Sequence, residues 1–121
     1  MSAFSDVRTI GPQQIWSGLT GRTVHGEQIT LSLIEIDPGA KVPEHSHPNE
    51  QVGILISGSM TFRIGDETKE LGPGETWIIL ADVPHSVVAG SGGAVVIEVF
   101  APPRTDWLDL ETRESGPGRW P

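Results

Sequence analysis

Short clusters of glycine, proline and acidic residues interrupt this chain at close intervals, and they limit every regular element to a few residues. These clusters are DPG at 37–39, SGS at 57–59, GDE at 65–67, GPG at 72–74, ADVP at 81–84 and GSGG at 90–93. The runs between them are β-branched or alternate in polarity: ITLSLIEI, QVGILI, MTFRI, TWIIL, HSVVA and AVVIEVF. Short strands at such regular spacing are typical of sandwiches and jelly-roll barrels. The sequence therefore predicts an all-β fold.

The run MTFRI indicates how one of these strands is oriented. Met60, Phe62 and Ile64 share one face of a strand, whereas Thr61 and Arg63 share the other. This alternation is typical of a strand with one face buried, because successive side chains point to opposite sides. We expect the apolar face to lie in the core.

The length and the charge of the chain narrow its possible functions. With 121 residues it is expected to form one domain, 1–121. Its net charge of −8 repels phosphate backbones and anionic lipid surfaces, so neither nucleic acid nor a membrane is an expected partner. The N-terminal sequence MSAFSDVRTIG lacks a basic stretch followed by an apolar core, and we therefore expect a cytoplasmic protein.

Two of the four histidines, His45 and His47, lie one residue apart in a chain without cysteine. Any metal must therefore be held by imidazole, carboxylate or amide groups. Residues i and i+2 of a strand share a face, so the two imidazoles can share one ion. Gln51 falls on that face too, but Pro48 can mark a bulge that reverses the phase, which leaves Glu50 as the alternative. Alone, such a pair is equally typical of a solvated surface.

The context of the two histidines resembles the two signature motifs of the cupin superfamily. The resemblance rests on PGAKVPEHSHPNEQVGILISG, from 38 to 58, and on LGPGETWIILADVPH, from 71 to 85. It implies a cupin-type jelly-roll β-barrel over about residues 25–104, followed by a short C-terminal tail, 105–121. It also implies one divalent metal ion inside the barrel, with the ligands His45, His47, Gln51 and His85.

The chain departs from this family pattern in a few places. Leu80, Ala81 and Asp82 replace the usual Pro-x-Gly, and Ala89 stands where asparagine is common, but neither change removes a ligand. Gln51 stands where many members have glutamate. Three imidazoles and an amide are neutral, so the ion keeps its whole positive charge, which favours Lewis-acid chemistry over oxygen chemistry. Such ligands suit zinc, nickel, iron, manganese and copper.

The stretch EVFAPPRTDW resembles a cupin subgroup of pectin and alginate breakdown that opens 4,5-unsaturated uronates to linear keto-uronates. The resemblance implies Glu98 as the acid/base, Phe100 as an apolar wall and Arg104 as the anchor of a sugar carboxylate. The subgroup more often has aspartate at the first of these positions. From the residues alone, Glu98 could equally lie exposed on a rim, and Arg104 could form a surface ion pair with Glu98 or Asp106.

The sequence thus favours a metal-dependent enzyme with lyase or isomerase chemistry on a small oxygenated anionic substrate. Ring opening of unsaturated uronates is the sharpest hypothesis. The alternatives are a non-catalytic module that binds a metal or a small ligand, and an iron-dependent dioxygenase. The resemblance further implies a homodimer. His25 lies outside the motifs, and we expect it to be an exposed strand or turn residue.

The remaining aromatic residues are expected to serve packing. Trp16, Trp77 and Trp107 could stack on a sugar, but in a small barrel they are predicted to lie mostly in the core or at a subunit interface. TDWLDLETR predicts a short helix with Trp107, Leu108 and Leu110 packed inward, and ESGPGRWP predicts a loosely docked tail.

Overall fold

The computed structural model describes residues 2–120, and within them it contains eight antiparallel strands and two single turns of 3-10 helix. The strands are β1 (Gln13–Trp16), β2 (Leu19–His25), β3 (Thr30–Ile36), β4 (Lys41–His45), β5 (Glu50–Ile64), β6 (Glu67–Leu71), β7 (Thr76–Ile79) and β8 (His85–Ala101). The helical turns are Val7–Thr9 and Thr105–Trp107. The all-β prediction is confirmed. No helix in this range is long and apolar enough to cross a membrane.

The long strands β5 and β8 join two sheets. Residues 50–58 of β5 pair with residues 94–101 of β8 in a larger sheet of order β1-β2-β3-β8-β5-β7. Residues 60–64 of β5 pair with residues 85–89 of β8 in a smaller sheet of order β4-β8-β5-β6. Between these halves the register of β5 and β8 shifts twice, which lets both strands bend from one sheet into the other. The buried core lies between the two sheets.

Two of the predicted turns are wrong. SGS and GSGG lie inside β5 and β8, where Gly58 pairs with Ala94, so four predicted strands are two continuous ones. Gly58 and Gly93 do adopt the left-handed backbone expected of turn glycines, with φ of +86° and +72°. The same glycine conformation serves reverse turns and bulges, so the local sequence does not distinguish them.

The sheet begins earlier in the chain than the predicted barrel of residues 25–104. β1 and β2 span residues 13–25, and β2 pairs along its whole length with β3. Their sequences, QQIW and LTGRTVH, contain polar residues and a glycine that obscure the alternation of a half-buried strand. At the exposed end of β2 lies His25, as expected.

The predicted core face of MTFRI is confirmed. Met60 and Phe62 are buried and Ile64 is half-buried, whereas Thr61 and Arg63 are exposed. The alternation continues along the other strands, so that one side chain in two points into the space between the sheets. This interior is mainly apolar, but polar side chains gather at one end of it, close to the start of β8.

The segment after β8 packs on the barrel only in part as predicted. Trp107 is buried and Leu110 packs against the core, but Leu108 is 60% exposed, so the inward orientation predicted for it is wrong. The helical turn ends after three residues, and the predicted helical spacing is therefore not maintained. Gln13 fixes this segment, because its amide nitrogen donates to the carbonyl oxygens of Trp107 and Leu110 at 3.2 and 3.1 Å.

The last residues are held more firmly than the sequence predicts. Arg119 donates from its backbone nitrogen to Glu35 at 2.9 Å and from its guanidinium to the carbonyl oxygen of Ile36 at 2.9 Å. The guanidinium of Arg22 donates to the carbonyl oxygen of Gly116 at 2.9 Å. The tail therefore covers part of the outer face of β2 and β3.

Asp82 provides a test of local backbone strain. It has a φ of 63°, in the left-handed region that favours glycine, and glycine is the residue that the family motif has here. We expect Asp82→Gly to raise the free energy of unfolding by about 0.5–1 kcal/mol, measured by denaturant titration. Asp66→Gly is the matched control, since Asp66 also lies in a turn but does not itself have a positive φ. A gain in the free energy of unfolding that is no larger for Asp82→Gly than for Asp66→Gly would contradict the prediction.

Candidate metal centre

Three imidazoles cluster at the polar end of the barrel interior. His45 is the last residue of β4 and the cross-strand partner of His85, the first residue of β8. His47 follows in the connection to β5. The ring centroids of His85 lie 4.2 Å from His45 and 4.9 Å from His47, and those of His45 and His47 are 6.0 Å apart. One nitrogen from each ring lies within 4.8 Å of the others, close enough to bind one ion.

The prediction that His45 and His47 share one strand face is wrong, although the two rings do lie together. β4 ends at His45, so His47 is oriented by the connecting loop and not by strand alternation. The backbone nitrogen of Asp82 donates to the carbonyl oxygen of His47 at 2.9 Å and ties this loop to the turn before β8. Hydrogen bonds between the two connections therefore set the position of the second imidazole.

A backbone carbonyl oxygen lies 2.9 Å from Nδ1 of each imidazole. The pairs are His45 with Pro43, His47 with Asn49, and His85 with Val83. Because a carbonyl oxygen only accepts, Nδ1 must carry the proton, and Nε2 of each ring presents a lone pair. Such backbone contacts fix the tautomer and the orientation of metal-binding histidines.

Burial keeps the imidazoles of His47 and His85 neutral. It lowers the pKa of His85 to about 4, although the bond to Val83 opposes the shift. Burial is also the largest cause that lowers the pKa of His47, followed by the positive charge of Arg104. At neutral pH both rings are therefore free bases, the form that binds a metal.

Gln51 brings an amide oxygen to the same point. Its side chain is 95% buried, and its Oε1 lies 3.0 Å from Nε2 of His47. Its Nε2 donates to Oε2 of Glu98, so the orientation of the amide is fixed. Two acceptors, the amide oxygen and the imidazole lone pair, thus face each other, and a cation satisfies both. Glu50, the alternative ligand, is exposed and lies on the opposite face of β5.

Glu98 is buried beside this cluster, so the rim position considered for it is wrong. Its Oε2 accepts hydrogen bonds from Nε1 of Trp77, at 3.0 Å, and from Gln51. Burial raises the pKa of the carboxyl above its ordinary value, and the two hydrogen bonds oppose that shift. Both bonds go to Oε2, so Oε1 is the oxygen left to meet a ligand.

Arg104 combines the predicted surface ion pair with a position on the cavity wall. Its guanidinium donates to Asp106 from Nε and Nη2, at 3.0 and 2.9 Å. The same group lies over the rings of Trp107, at 4.1 Å, and Phe100, at 4.9 Å. The Arg104 side chain is only 12% exposed, and Phe100 is buried with its ring inclined at 68° to that of His47 and the two centroids 6.0 Å apart.

These groups surround a cavity of about 290 Å³. The polar wall consists of His45, His47, His85, Gln51, Glu98, Arg104 and Asp106. The facing wall is apolar and includes Ile15, Leu19, Ile34, Met60, Phe62 and Val96. A cavity of this volume is at the small end of ligand sites, and it suits a small oxygenated molecule with a charged group at one end.

Comparison with known protein families shows to which family this chain belongs. The family model for the cupin domain matches residues 32–100, more than half of the chain. The chain belongs to the cupin family. The resemblance expected from the two histidine motifs is thereby confirmed. The cupin is 26% identical over 83 residues to the pectin degradation protein KdgF of Dickeya dadantii (strain 3937), which covers 68% of this chain and 76% of that protein.

Solved structures share the fold of this cupin. KdgF from Halomonas sp. superposes with a TM-score of 0.79 at 23% identity, covering 88% of this chain and 98% of that one. A RmlC-like cupin from Shewanella frigidimarina NCIMB 400 gives a TM-score of 0.81 at 24% identity, covering 88% and 96%. These likenesses establish the cupin fold.

Two side chains near the cupin site were predicted to lie mostly in the core or at a subunit interface. Trp77 is buried in the core as expected, yet its indole nitrogen also donates to Glu98. Trp16 is 43% exposed, lines the cavity and stacks on His45 with the ring planes 16° apart. Nothing in the local sequence indicates these contacts, because each depends on the register between distant strands.

Proposed function

We propose that this cupin is a metal-dependent isomerase that opens the ring of 4,5-unsaturated uronates. One observation carries the proposal: the Gln51 amide joins the imidazole cluster to the buried carboxylate of Glu98. A metal centre and an acid/base thus lie against one substrate-sized cavity. The likeness to KdgF of Dickeya dadantii, named for pectin degradation, supports the same substrate class.

The metal would be held by Nε2 of His45, His47 and His85 and by Oε1 of Gln51, as one divalent ion from zinc, nickel, iron, manganese or copper. When bound, such an ion supplies positive charge that polarises a substrate oxygen. The donor set is neutral, so none of that charge is cancelled by the ligands.

The reaction needs only proton movements. In the substrate, the ring oxygen belongs both to a hemiacetal and to an enol ether. When its bond to the anomeric carbon breaks, the anomeric hydroxyl gives up its proton and becomes an aldehyde, and the ring oxygen is left as an enolate. The enolate becomes a ketone once that proton is delivered to the neighbouring carbon. We assign both transfers to Oε1 of Glu98, whose raised pKa suits an acid/base at neutral pH. Atoms balance without water or an oxidant.

Arg104 and Phe100 would hold the substrate for this step. Asp106 occupies only part of the five-donor guanidinium, so the remaining N–H groups can bind the carboxylate of the sugar. Phe100 supplies an apolar surface between Arg104 and His47 that keeps water from the reacting bond. With one dication, the guanidinium of Arg104 and the carboxylates of Glu98 and Asp106, the site would still carry net positive charge, which favours an anionic substrate.

The direct test is turnover of a 4,5-unsaturated uronate monosaccharide without oxygen. We expect its ultraviolet absorbance to disappear and NMR to show the linear keto-uronate, whereas the saturated uronate should remain unchanged. Consumption of oxygen during turnover would instead indicate a dioxygenase. Binding of the uronate without any product would indicate a non-catalytic binding module.

We also propose that the protein forms a homodimer through its larger sheet. Five apolar side chains, paired strand by strand, form one exposed or half-exposed row across its outer face, which we name the outer apolar row. It consists of Val24, Leu31, Val99, Val52 and Ile78. Contiguous exposed apolar surface of this kind marks interaction sites, and a two-fold axis would pair the row with itself.

Val52→Lys should therefore convert the dimer into a monomer, because it places a charge within the outer apolar row, between Val99 and Ile78. Light scattering after size-exclusion chromatography measures the mass. Thr61→Lys is the matched control on the smaller sheet, and it should leave the dimer intact. A dimer that persists in Val52→Lys would place the interface elsewhere.

A further inference from the structure

Three residues form a straight row across the strands beside the polar wall. Gly53 of β5 is the cross-strand partner of Trp77 on β7 and, on its other side, of Glu98 on β8. All three face the barrel interior and are buried. Trp77 and Glu98 are therefore two strands apart, at about 10 Å between backbones, with Gly53 between them.

The indole crosses this gap only because Gly53 has no side chain. A Cβ at position 53 would overlap Nε1, Cε2 and Cζ2 of Trp77. The ring thus lies over the backbone of β5, and its Nε1 reaches Oε2 of Glu98 at 3.0 Å. Any other residue at position 53 would separate the donor from the carboxylate.

Nothing in the backbone of Gly53 itself calls for glycine. It lies within the regular pairing of β5 and lacks the positive φ of Gly58 in the same strand. Glycine weakens the interior of a strand, and it is typically found there where another group approaches closely. Here that group is the indole of Trp77.

We propose that Trp77 is a positioning residue for Glu98 and that Gly53 provides the space that this role requires. The inference rests on the proposed function of Glu98 as the acid/base. Trp77 and Gln51 together fix Oε2, and this arrangement directs Oε1 to the substrate. An N–H donor on a carboxylate holds its position without adding a charge that would compete with the metal centre.

Kinetics of Trp77→Phe test this role. Phenylalanine keeps the ring that packs on Phe62 and removes the N–H group. We expect kcat to fall about 10- to 100-fold, KM to change less than about 2-fold, and the metal content to stay the same. In a Glu98→Gln background the same substitution should cost nothing further. Trp120→Phe, in the tail, is the matched control with normal turnover. An equal loss from Trp77→Phe in both backgrounds would overturn the inference.

Indole N–H resonances provide a readout that needs no turnover. In ¹H–¹⁵N spectra we identify the Trp77 signal by its loss in Trp77→Phe, and we expect it to move in Glu98→Gln and in Gly53→Ala. If Trp77→Phe does not fold, Gly53→Ala takes its place in the kinetic test. A Trp77 signal that stays in place in Glu98→Gln would overturn the inference. If the wild type does not turn over the uronate, the proposed function fails, and the spectra still decide whether Trp77 holds Glu98.

Discussion

Replacing His47 with alanine should reduce the metal content of the purified protein from about one ion per chain to almost none. The variant loses the Nε2 that faces both the other imidazoles and Gln51. We expect the metal affinity to fall at least about 100-fold, beyond the loss typical of residues that merely orient a ligand, and turnover to disappear with it. Elemental analysis measures the content, on protein prepared without added metal and without a chelating tag.

His25→Ala is the matched control for this experiment. His25 lies outside the cluster and is exposed, with its Nδ1 2.9 Å from Oγ1 of Thr30, so the variant should keep the full metal content. Equally low metal in the wild type and in His47→Ala would show that the cluster does not bind a metal, and a binding module for an organic ligand would become the better hypothesis. The identity of the ion would also indicate whether the site favours Lewis-acid chemistry or oxygen chemistry.

Replacing Glu98 with glutamine should lower turnover of the unsaturated uronate about 1,000-fold, the middle of the range for a general acid/base. Glutamine keeps the shape of the side chain and an oxygen that can accept from Trp77, but it cannot exchange a proton. The metal content should remain that of the wild type, because Glu98 touches the centre only through Gln51. Steady-state kinetics and elemental analysis on the same preparation separate the two effects.

Two further variants show whether the loss of turnover in Glu98→Gln comes from the missing carboxyl group. Glu98→Asp keeps a carboxyl group on a side chain that is one methylene shorter, and it should retain more turnover than Glu98→Gln. Glu70→Gln removes an exposed carboxylate of β6 and should have wild-type activity. Full turnover in Glu98→Gln with its metal in place would remove the carboxylate from the mechanism.

The sequence predicted which side chains lie together better than it predicted the strands that carry them. The motif spacing indicated His45, His47, Gln51 and His85 as one group, and the structure brings all four together. Local patterns also predicted the buried face of MTFRI. They did not predict that β5 and β8 run through SGS and GSGG, because left-handed glycines occur in bulges as well as in turns.

Other contacts depend on register that no local pattern contains. Trp77 and Glu98 are 21 positions apart in the sequence. They meet only because β7, β5 and β8 pair in one specific register. The orientation of His47 depends on a hydrogen bond from Asp82, which belongs to a different motif. Sequence patterns identify which residues line the candidate site, whereas pairing between distant strands determines which of these residues contact one another.

The two ends of the Gln51 amide also constrain how this protein could evolve. Glutamate, which many cupins have at this position, has no N–H group to donate to Glu98, and it would place a second carboxylate against a buried one. Two such neighbours cannot both stay ionised, so one would take up a proton and the acid/base would change its state. Exchange of Gln51 for glutamate is therefore tolerable only together with the loss of Glu98. A lineage of this fold that acquires glutamate at position 51 should therefore lack the carboxylate at position 98.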